Sequence, residues 1–130
     1  YQQLMVVNRL VRDLDLPVEI VGVPTVRESD GLALSSRNAR LAPRERAAAP
    51  ALAAALDAAV AALRAGAPLA PTLDAARATI LAGGFAEVEY LELRRAEDLA
   101  PLEALTAPAR LLAAAWIGGV RLIDNFAAPL

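Results

Sequence analysis

The fold of this chain is constrained most by a polar stretch that comes shortly after residues 18–23, a mostly apolar and β-branched run. The stretch 31–38 reads Gly-Leu-Ala-Leu-Ser-Ser-Arg-Asn and groups two hydroxyls, a guanidinium and a carboxamide in a largely aliphatic chain. In an α/β fold, ligand groups lie beyond the carboxyl end of a buried strand. The order of these two stretches therefore predicts the end of an α/β domain that carries a ligand loop.

The chemistry of the loop suits a phosphate. Backbone N–H groups and the hydroxyls of Ser35 and Ser36 donate hydrogen bonds, while Arg37 adds a permanent charge and a bidentate fork. The same residues also make an ordinary loop and helix cap, so the four residues alone leave both interpretations open. For Asn38 we favour a structural role, in which an Asx-type bond holds the loop.

Three segments together resemble a known family. They are residues 1–4 (Tyr-Gln-Gln-Leu), residues 18–38, and residues 121–125 (Arg-Leu-Ile-Asp-Asn). In order and spacing they resemble the second half of the pantothenate synthetase (pantoate–β-alanine ligase) family, and the resemblance covers essentially the whole chain. It implies that Ser-Ser-Arg corresponds to the Lys-Met-Ser-Lys-Ser loop of class I aminoacyl-tRNA synthetase-like nucleotidyltransferases. It also implies a carboxyl-terminal fragment, which fits a chain that opens on Tyr1.

The resemblance implies specific residue roles. Gln3 matches a glutamine whose amide binds pantoate, although the pattern alone favours a solvated first-turn side chain. Val26 matches a residue that contacts adenine through its backbone. The positions that match the ATP-binding stretch are Val26, Leu34, Ser35, Ser36 and Arg37. Among them, Ser35, Ser36 and Arg37 are the expected catalytic residues, and none of the matched positions is a metal ligand.

The reaction implied by the resemblance has two steps and uses ATP with Mg²⁺. Pantoate's carboxylate attacks the α-phosphorus of ATP to give a pantoyl adenylate and pyrophosphate, and the amine of β-alanine then displaces AMP. Donors aimed at the phosphates would stabilise the charge that builds there. The resemblance further implies a cytoplasmic enzyme that is a homodimer at full length. The chain alone is expected to be inactive, because the other half of the site would be missing.

Composition limits the chemistry available to the chain. Its 130 residues include neither cysteine nor histidine, which removes thiol chemistry and the usual general base and zinc ligand. The net charge of −2 argues against a nucleic-acid surface. With 57% hydrophobic residues the chain can bury a core, yet charges interrupt every run, so we expect no membrane span.

Hydrophobic periodicity and the positions of glycine and proline predict that residues 1–40 form the end of an α/β domain. Residues 41–130 are predicted to form a small α+β domain with helices on a short antiparallel sheet. The Gly118-Gly119 pair between apolar runs predicts a hairpin. Residues 96–105 are expected to form a loop with one helical turn. The predicted helices are 2–14, 43–48, 50–63 and 71–82, and the predicted strands are 18–23, 86–95, 110–117 and 120–126.

Side-chain environments are predicted from the same patterns. Charges at Arg27, Glu28 and Asp30 are expected to be solvated, and Tyr90 and Trp116 to be core or interface aromatics. Residues 121–125 are expected to form strand-end hydrogen bonds through Arg121, Asp124 and Asn125. The predicted inward residues of the second and third helices of the α+β domain are Leu52, Leu56, Val60, Leu63, Leu73, Ala76, Ile80 and Leu81.

Three functions remain in competition. The first is the ATP-dependent ligase, in which residues 41–130 act as a cover over the site, with hinges before Ser35 and after Asn38. The second is a non-catalytic α+β module that serves dimer contacts. The third is a nucleotidyltransferase for another small acid or for tRNA, of which the acidic balance disfavours tRNA.

Overall fold

The computed structural model describes all 130 residues as four α-helices, a short 3₁₀ helix and three strands. The strands form one antiparallel sheet in the order β1-β2-β3. This is the predicted small α+β architecture. The elements are α1 (Gln2–Asp13), the 3₁₀ helix (Ser36–Arg40), α2 (Pro43–Ala48), α3 (Ala51–Arg64), α4 (Leu69–Ala82), β1 (Glu87–Arg95), β2 (Ala109–Ile117) and β3 (Val120–Ala128).

The predicted hairpin joins β2 to β3. Ile117 pairs with Val120, and the register continues without a shift to Ala109 opposite Ala128. Gly118 and Gly119 both have positive φ, +55° and +73°, as a two-residue turn with the strands' own twist requires. The connection over residues 96–105 is a loop with one helical turn, as predicted: the N–H of Leu99 donates to the carbonyl of Arg95 at 3.0 Å, and the turn does not continue into a helix.

Helices α3 and α4 bury one face of the sheet and form the core with it. The predicted stripe of α3 is buried in full, because leucines and valine recur at helical spacing toward the sheet. In α4, Ala76 and Ile80 are buried and Leu73 packs against the core. Leu81 is 42% exposed, so its predicted inward position is wrong. Ile80, its neighbour, occupies the inward direction instead.

The strand predicted over residues 18–23 is wrong. This segment belongs to no helix or sheet, and Val21 and Val23 are 72% and 79% exposed. An apolar run forms a buried strand only when other strands pair with it, and the three strands of this chain pair among themselves. The segment does approach Leu4 of α1, whose Cδ2 lies 3.0 Å from where a Cβ on Gly22 would sit.

The amino-terminal end of α1 lies against the second face of the sheet. The Tyr1 hydroxyl donates to the carbonyl of Ala96 at 2.7 Å, and the Arg110 guanidinium lies 4.3 Å from the Tyr1 ring centroid. Tyr90 and Trp116 are half-buried on this face rather than in the core. The helix itself contains no fully buried residue, and Leu14, expected on its apolar stripe, lies beyond its end and is exposed.

One helical stretch, Pro43–Arg64, is long and apolar enough to cross a membrane by length and composition alone, contrary to the sequence-based expectation. Within its most apolar window, 44% of the residues are buried inside the structure. The buried side chains of this stretch, including Leu52, Leu56 and Leu63, belong to the core under the sheet. Its apolar character is therefore accounted for by packing.

Candidate functional site

The ligand loop is a narrow hairpin-like reversal over residues 26–34. The N–H of Leu34 donates to the carbonyl of Val26 at 2.9 Å, and the N–H of Glu28 donates to the carbonyl of Leu32 at 2.8 Å. Gly31 makes the reversal with φ +89°, a conformation that glycine adopts without a Cβ clash. Leu32 is buried in the core, whereas Val26 and Leu34 at the open end are 60% and 64% exposed. The loop is thus packed into the core near its tip, at Leu32, while its two ends, at Val26 and Leu34, face solvent.

Arg27 ties the loop to strand β3. Its guanidinium makes a bidentate pair with Asp124, with N–O distances of 2.7 and 2.9 Å, and also donates to the Gly31 carbonyl at 3.0 Å. The Asp124 side chain is 3% exposed and that of Arg27 is 25% exposed. The guanidinium also lies 4.2 Å from the Phe126 ring centroid. The prediction of a solvated Arg27 is therefore wrong, because its partner lies 97 positions away in the sequence.

Glu28 and Asp30, here called the acidic pair, are both bonded to Arg46; Glu28 is half-buried, contrary to the prediction, whereas Asp30 is exposed as predicted. Arg46 of α2 donates to both carboxylates at 2.6 Å, and the Asn38 amide donates to Glu28 at 2.8 Å. The bond from Asn38, followed by that from Arg46, lowers the pKa of Glu28. The bond from Arg46 lowers the pKa of Asp30. The acidic pair thus stays charged and fastens the loop to α2.

Asn38 has the predicted structural role, but by a different bond from the one expected. Its amide nitrogen donates to the carbonyl of Ala33 at 3.1 Å as well as to Glu28, so it spans the two sides of the loop. Its Oδ1 atom is buried without a hydrogen-bond partner. A buried acceptor of this kind is costly unless a donor reaches it.

The predicted catalytic residues begin the 3₁₀ helix and face solvent. The Ser35 hydroxyl accepts from the N–H of Arg37 at 3.2 Å, which caps the helix. Ser35, Ser36 and Arg37 are all exposed, and the Arg37 guanidinium makes no ion pair or hydrogen bond within the chain. The cap explains the local fold, and it leaves the hydroxyl protons and the guanidinium free as donors.

A cavity of about 300 Å³ lies between this loop, α1 and strand β3. Among the predicted site residues, Leu34, Ser35 and Arg37 line it, whereas Gln3, Val26 and Ser36 do not. Gln2 lines it instead, with its amide nitrogen 3.2 Å from the Tyr90 hydroxyl, and Gln3 is exposed. The remaining lining residues are Tyr1, Thr25, Leu32, Ala33, Asn38, Leu52, Arg121, Leu122, Ile123, Asp124 and Asn125.

Strand β3 contributes polar side chains whose hydrogen-bonding role agrees with the prediction. Arg121 makes a bidentate pair with Glu89 at 2.7 and 2.8 Å, and this pair lowers the pKa of Glu89. Asn125 accepts from Arg110 at 3.1 Å. The sequence analysis did not predict that Arg121 and Asp124 also line the cavity. Their position in residues 121–125, one of the three segments that resemble the family, was the signal that could have indicated this.

The site offers donors for an anion and few ligands for a metal. The exposed Ser35 hydroxyl and the unpaired Arg37 guanidinium line the cavity, and the exposed Ser36 is their neighbour in sequence, a donor set that suits a phosphate. No group of three or more acidic side chains in the chain could hold a metal ion. Any Mg²⁺ that arrives with a nucleotide would therefore lack a preformed carboxylate cluster on this chain.

Comparison with known proteins identifies the family. The family model for pantoate-beta-alanine ligase matches residues 1–127. The chain belongs to this family. It is 64% identical over 125 residues to pantothenate synthetase from Chelativorans sp. (strain BNC1), covering 96% of this chain and 44% of that protein. It is 59% identical over 125 residues to the enzyme of the same name from Cereibacter sphaeroides, covering 96% and 45%.

Solved structures of the ligase family match the fold. Pantothenate synthetase from Thermus thermophilus superposes with a TM-score of 0.92 at 46% identity, covering all of this chain and 47% of that one. The pantoate-beta-alanine ligase from Francisella tularensis, solved with beta-gamma ATP and beta-alanine, gives 0.69 at 29% identity, covering 98% and 40%. The chain thus spans a little under half the length of the curated relatives that it matches.

Proposed function

We propose that this chain supplies the ATP-phosphate side of a ligase that joins pantoate to β-alanine to make pantothenate. The observation that carries the proposal is the set of unpaired donors at Ser35, Ser36 and Arg37, beside a cavity, in a member of this family. The Francisella ligase solved with an ATP compound and β-alanine supports both the nucleotide and the amine. The family supports a ligase, and we propose AMP formation from the resemblance of residues 31–38 to the ATP-binding stretch of that family.

The proposed chemistry proceeds through an acyl adenylate. A pantoate carboxylate oxygen bonds to the α-phosphorus, and the bond to the bridging oxygen breaks with its electron pair leaving on pyrophosphate. The β-alanine nitrogen then bonds to the acyl carbon, AMP leaves, and the amine loses a proton. Negative charge grows on the phosphates in the first step, so donors already aimed there lower its barrier. Mg²⁺, bound to ATP as its substrate complex, would neutralise further phosphate charge.

The open end of the loop suits adenine. The N–H of Val26 and the carbonyl of Leu34 form no backbone hydrogen bond within the chain, although the opposite pair, Leu34 N–H to Val26 carbonyl, is bonded. An N–H donor and a carbonyl acceptor complement the ring nitrogens and amino group of an adenine edge. These unpaired groups support the adenine contact assigned to Val26 and the ATP contact assigned to Leu34.

Gln3 is proposed to bind pantoate through its amide, which can both donate and accept. Its exposure supports this role, since the side chain is free to meet a ligand, whereas the neighbouring Gln2 is already bonded to Tyr90. Gln3→Ala should therefore raise KM for pantoate and leave KM for ATP unchanged. Gln2→Ala is the matched control and should affect pantoate binding less. The reverse ranking would transfer the role to Gln2.

We further propose the larger organisation expected from the resemblance. Residues 1–40 would end the nucleotide-binding domain, and residues 41–130 would form a lid over the site that excludes water from the adenylate. The full-length protein is proposed to be a cytoplasmic homodimer that binds neither nucleic acid nor membrane. Domain closure can be tested by measuring the hydrogen exchange of residues 38–48 with and without ATP and pantoate.

Pantothenate formation from pantoate, β-alanine and Mg-ATP tests the function directly. The full-length protein should turn over, and this chain alone should not. Arg37→Ala should lower the rate by about 10²–10³, the usual loss for one transition-state donor. Arg44→Ala is the control, because Arg44 is an exposed arginine of α2 that likewise makes no ion pair. Equal rates for the two variants, or no product from a folded full-length protein, would refute the proposal.

A further inference from the structure

A second recess opens beside the ligand loop, on the side of the β2–β3 hairpin. Its volume is about 240 Å³, and no carboxylate lines it. Three of its six lining residues are arginines, although the chain as a whole carries a net charge of −2. The lining residues are Arg37, Arg40, Trp116, Gly119, Val120 and Arg121.

Two of the arginines come from one turn of the 3₁₀ helix. A 3₁₀ helix has three residues per turn, so side chains at i and i+3 lie over one another, which places Arg37 and Arg40 on the same side. Both are exposed, and neither guanidinium makes an ion pair or hydrogen bond within the chain. Two like charges held together raise each other's energy, and an anion between them relieves that repulsion.

The third arginine is oriented by the sheet. Arg121 donates to Glu89 through Nε and Nη2, at 2.7 and 2.8 Å, which leaves Nη1 without a partner. The Trp116 indole N–H also donates to Glu89 at 3.1 Å, so the carboxylate is fixed by three donors. Arg121 is therefore held in one orientation before any ligand arrives, and the side chain that holds it does not itself line the recess.

The recess adjoins the cavity of the ATP loop, since Arg37 and Arg121 line both. We propose that it binds a pyrophosphoryl group through Arg37, Arg40 and Arg121: the β- and γ-phosphates of bound ATP, or the pyrophosphate that the first step releases. Guanidinium groups match phosphate oxygens with paired, charge-assisted hydrogen bonds. This inference rests on the proposed ligase function and adds Arg40 and Arg121 as phosphate-binding residues.

The test compares Arg40→Gln with Arg44→Gln in the full-length protein by isothermal titration calorimetry. The ligands are inorganic pyrophosphate, a non-hydrolysable ATP analogue and AMP. Loss of one charge-assisted contact should weaken pyrophosphate binding about tenfold or more in Arg40→Gln, while AMP binding stays unchanged. Arg44→Gln should leave all three affinities unchanged, and Arg40→Lys, which keeps the charge without the fork, should fall between.

The two sources of the group give different results. If the analogue weakens together with pyrophosphate, the recess serves bound ATP; if pyrophosphate alone weakens, the recess serves the leaving product. Unchanged pyrophosphate affinity in Arg40→Gln, or an equal loss for AMP, would overturn the inference. Pantothenate turnover is measured separately. If Arg40→Gln weakens pyrophosphate binding but the protein forms no pantothenate, the ligase function is refuted and the pyrophosphate site is supported. If pantothenate forms but Arg40→Gln binds pyrophosphate normally, the site is refuted and the ligase function is supported.

Discussion

The Arg27–Asp124 pair should be one of the most consequential polar interactions in the chain, and Asp124→Ala tests this. Removing the carboxylate leaves an Arg27 side chain that is three-quarters buried and whose guanidinium was paired through both terminal nitrogens. Breaking a buried pair from one side costs about 3–5 kcal/mol because the remaining charge stays desolvated. Since Arg27 retains its bond to the Gly31 carbonyl and its contact with Phe126, we expect the lower end, about 3 kcal/mol.

The matched control is a second bidentate pair on the same strand. Glu89 and Arg121 have equally short contacts, but their side chains are 38% and 34% exposed. Water therefore screens the charges and solvates the remaining partner, and Glu89→Ala should lower the free energy of unfolding far less than Asp124→Ala. Urea unfolding at pH 7, followed by far-ultraviolet circular dichroism, measures both. Equal losses for the two variants would refute the reasoning from burial.

A double variant distinguishes two causes of the stability loss: the cost of leaving a buried charge unpaired, and the loss of the attraction between the two charges. Replacing a buried ion pair by apolar residues of similar size is often neutral or stabilising. Arg27→Met combined with Asp124→Leu should therefore recover most of the stability that Asp124→Ala loses. It should not recover ATP affinity, because Arg27 also bonds the Gly31 carbonyl within the ligand loop. A double variant as unstable as the single one would show that the attraction itself carries the effect.

Packing and charge lead to three further expected outcomes. The acidic pair has lowered pKa values in the fold, so the unfolded chain binds more protons as pH falls. The stability lost in Arg46→Gln, measured by urea unfolding, should thus be present in full at pH 7 and decline as pH falls from about 4 through the lowered pKa values of the two carboxyls. Gly118→Ala should destabilise more than Gly119→Ala in the same assay: both need positive φ, costing about 1–2 kcal/mol, but only at Gly118 would a Cβ displace the Glu45 carboxylate, which accepts from the Ala42 N–H. Ile80→Ala should cost about 2–5 kcal/mol because Ile80 is fully buried, whereas Leu81→Ala, at an exposed neighbour, should cost much less.

Local sequence patterns were sufficient for the α+β part of the fold. The leucine spacing of α3 and the glycine pair of the hairpin are short-range signals, and each specifies its element without reference to distant residues. The direction of Leu81 was wrong because it lies about 100° around the helix from the fully buried Ile80, on the exposed side, and periodicity alone did not choose between the two. The presence of helix α4 was therefore more predictable than which of its apolar residues face the core.

The environment of the loop charges could not be predicted from local pattern. Arg27 is surrounded in sequence by polar residues, and its carboxylate partner lies in the last strand. The same holds for Arg46, which reaches back 18 positions to Glu28. The residue types of the loop show from sequence which hydrogen-bond donors it carries, whereas the distant partners that fix the loop do not appear in the local pattern.

Segment 18–23 affects how readily this chain self-associates in solution. It presents a β-branched surface with Val21 and Val23 exposed, one charge, no proline and a backbone that pairs with no strand. Such a segment is a template for intermolecular strand pairing, and native proteins normally cover it. Self-association of the isolated chain should therefore begin here. A charged substitution at Val21 would act as a gatekeeper against it.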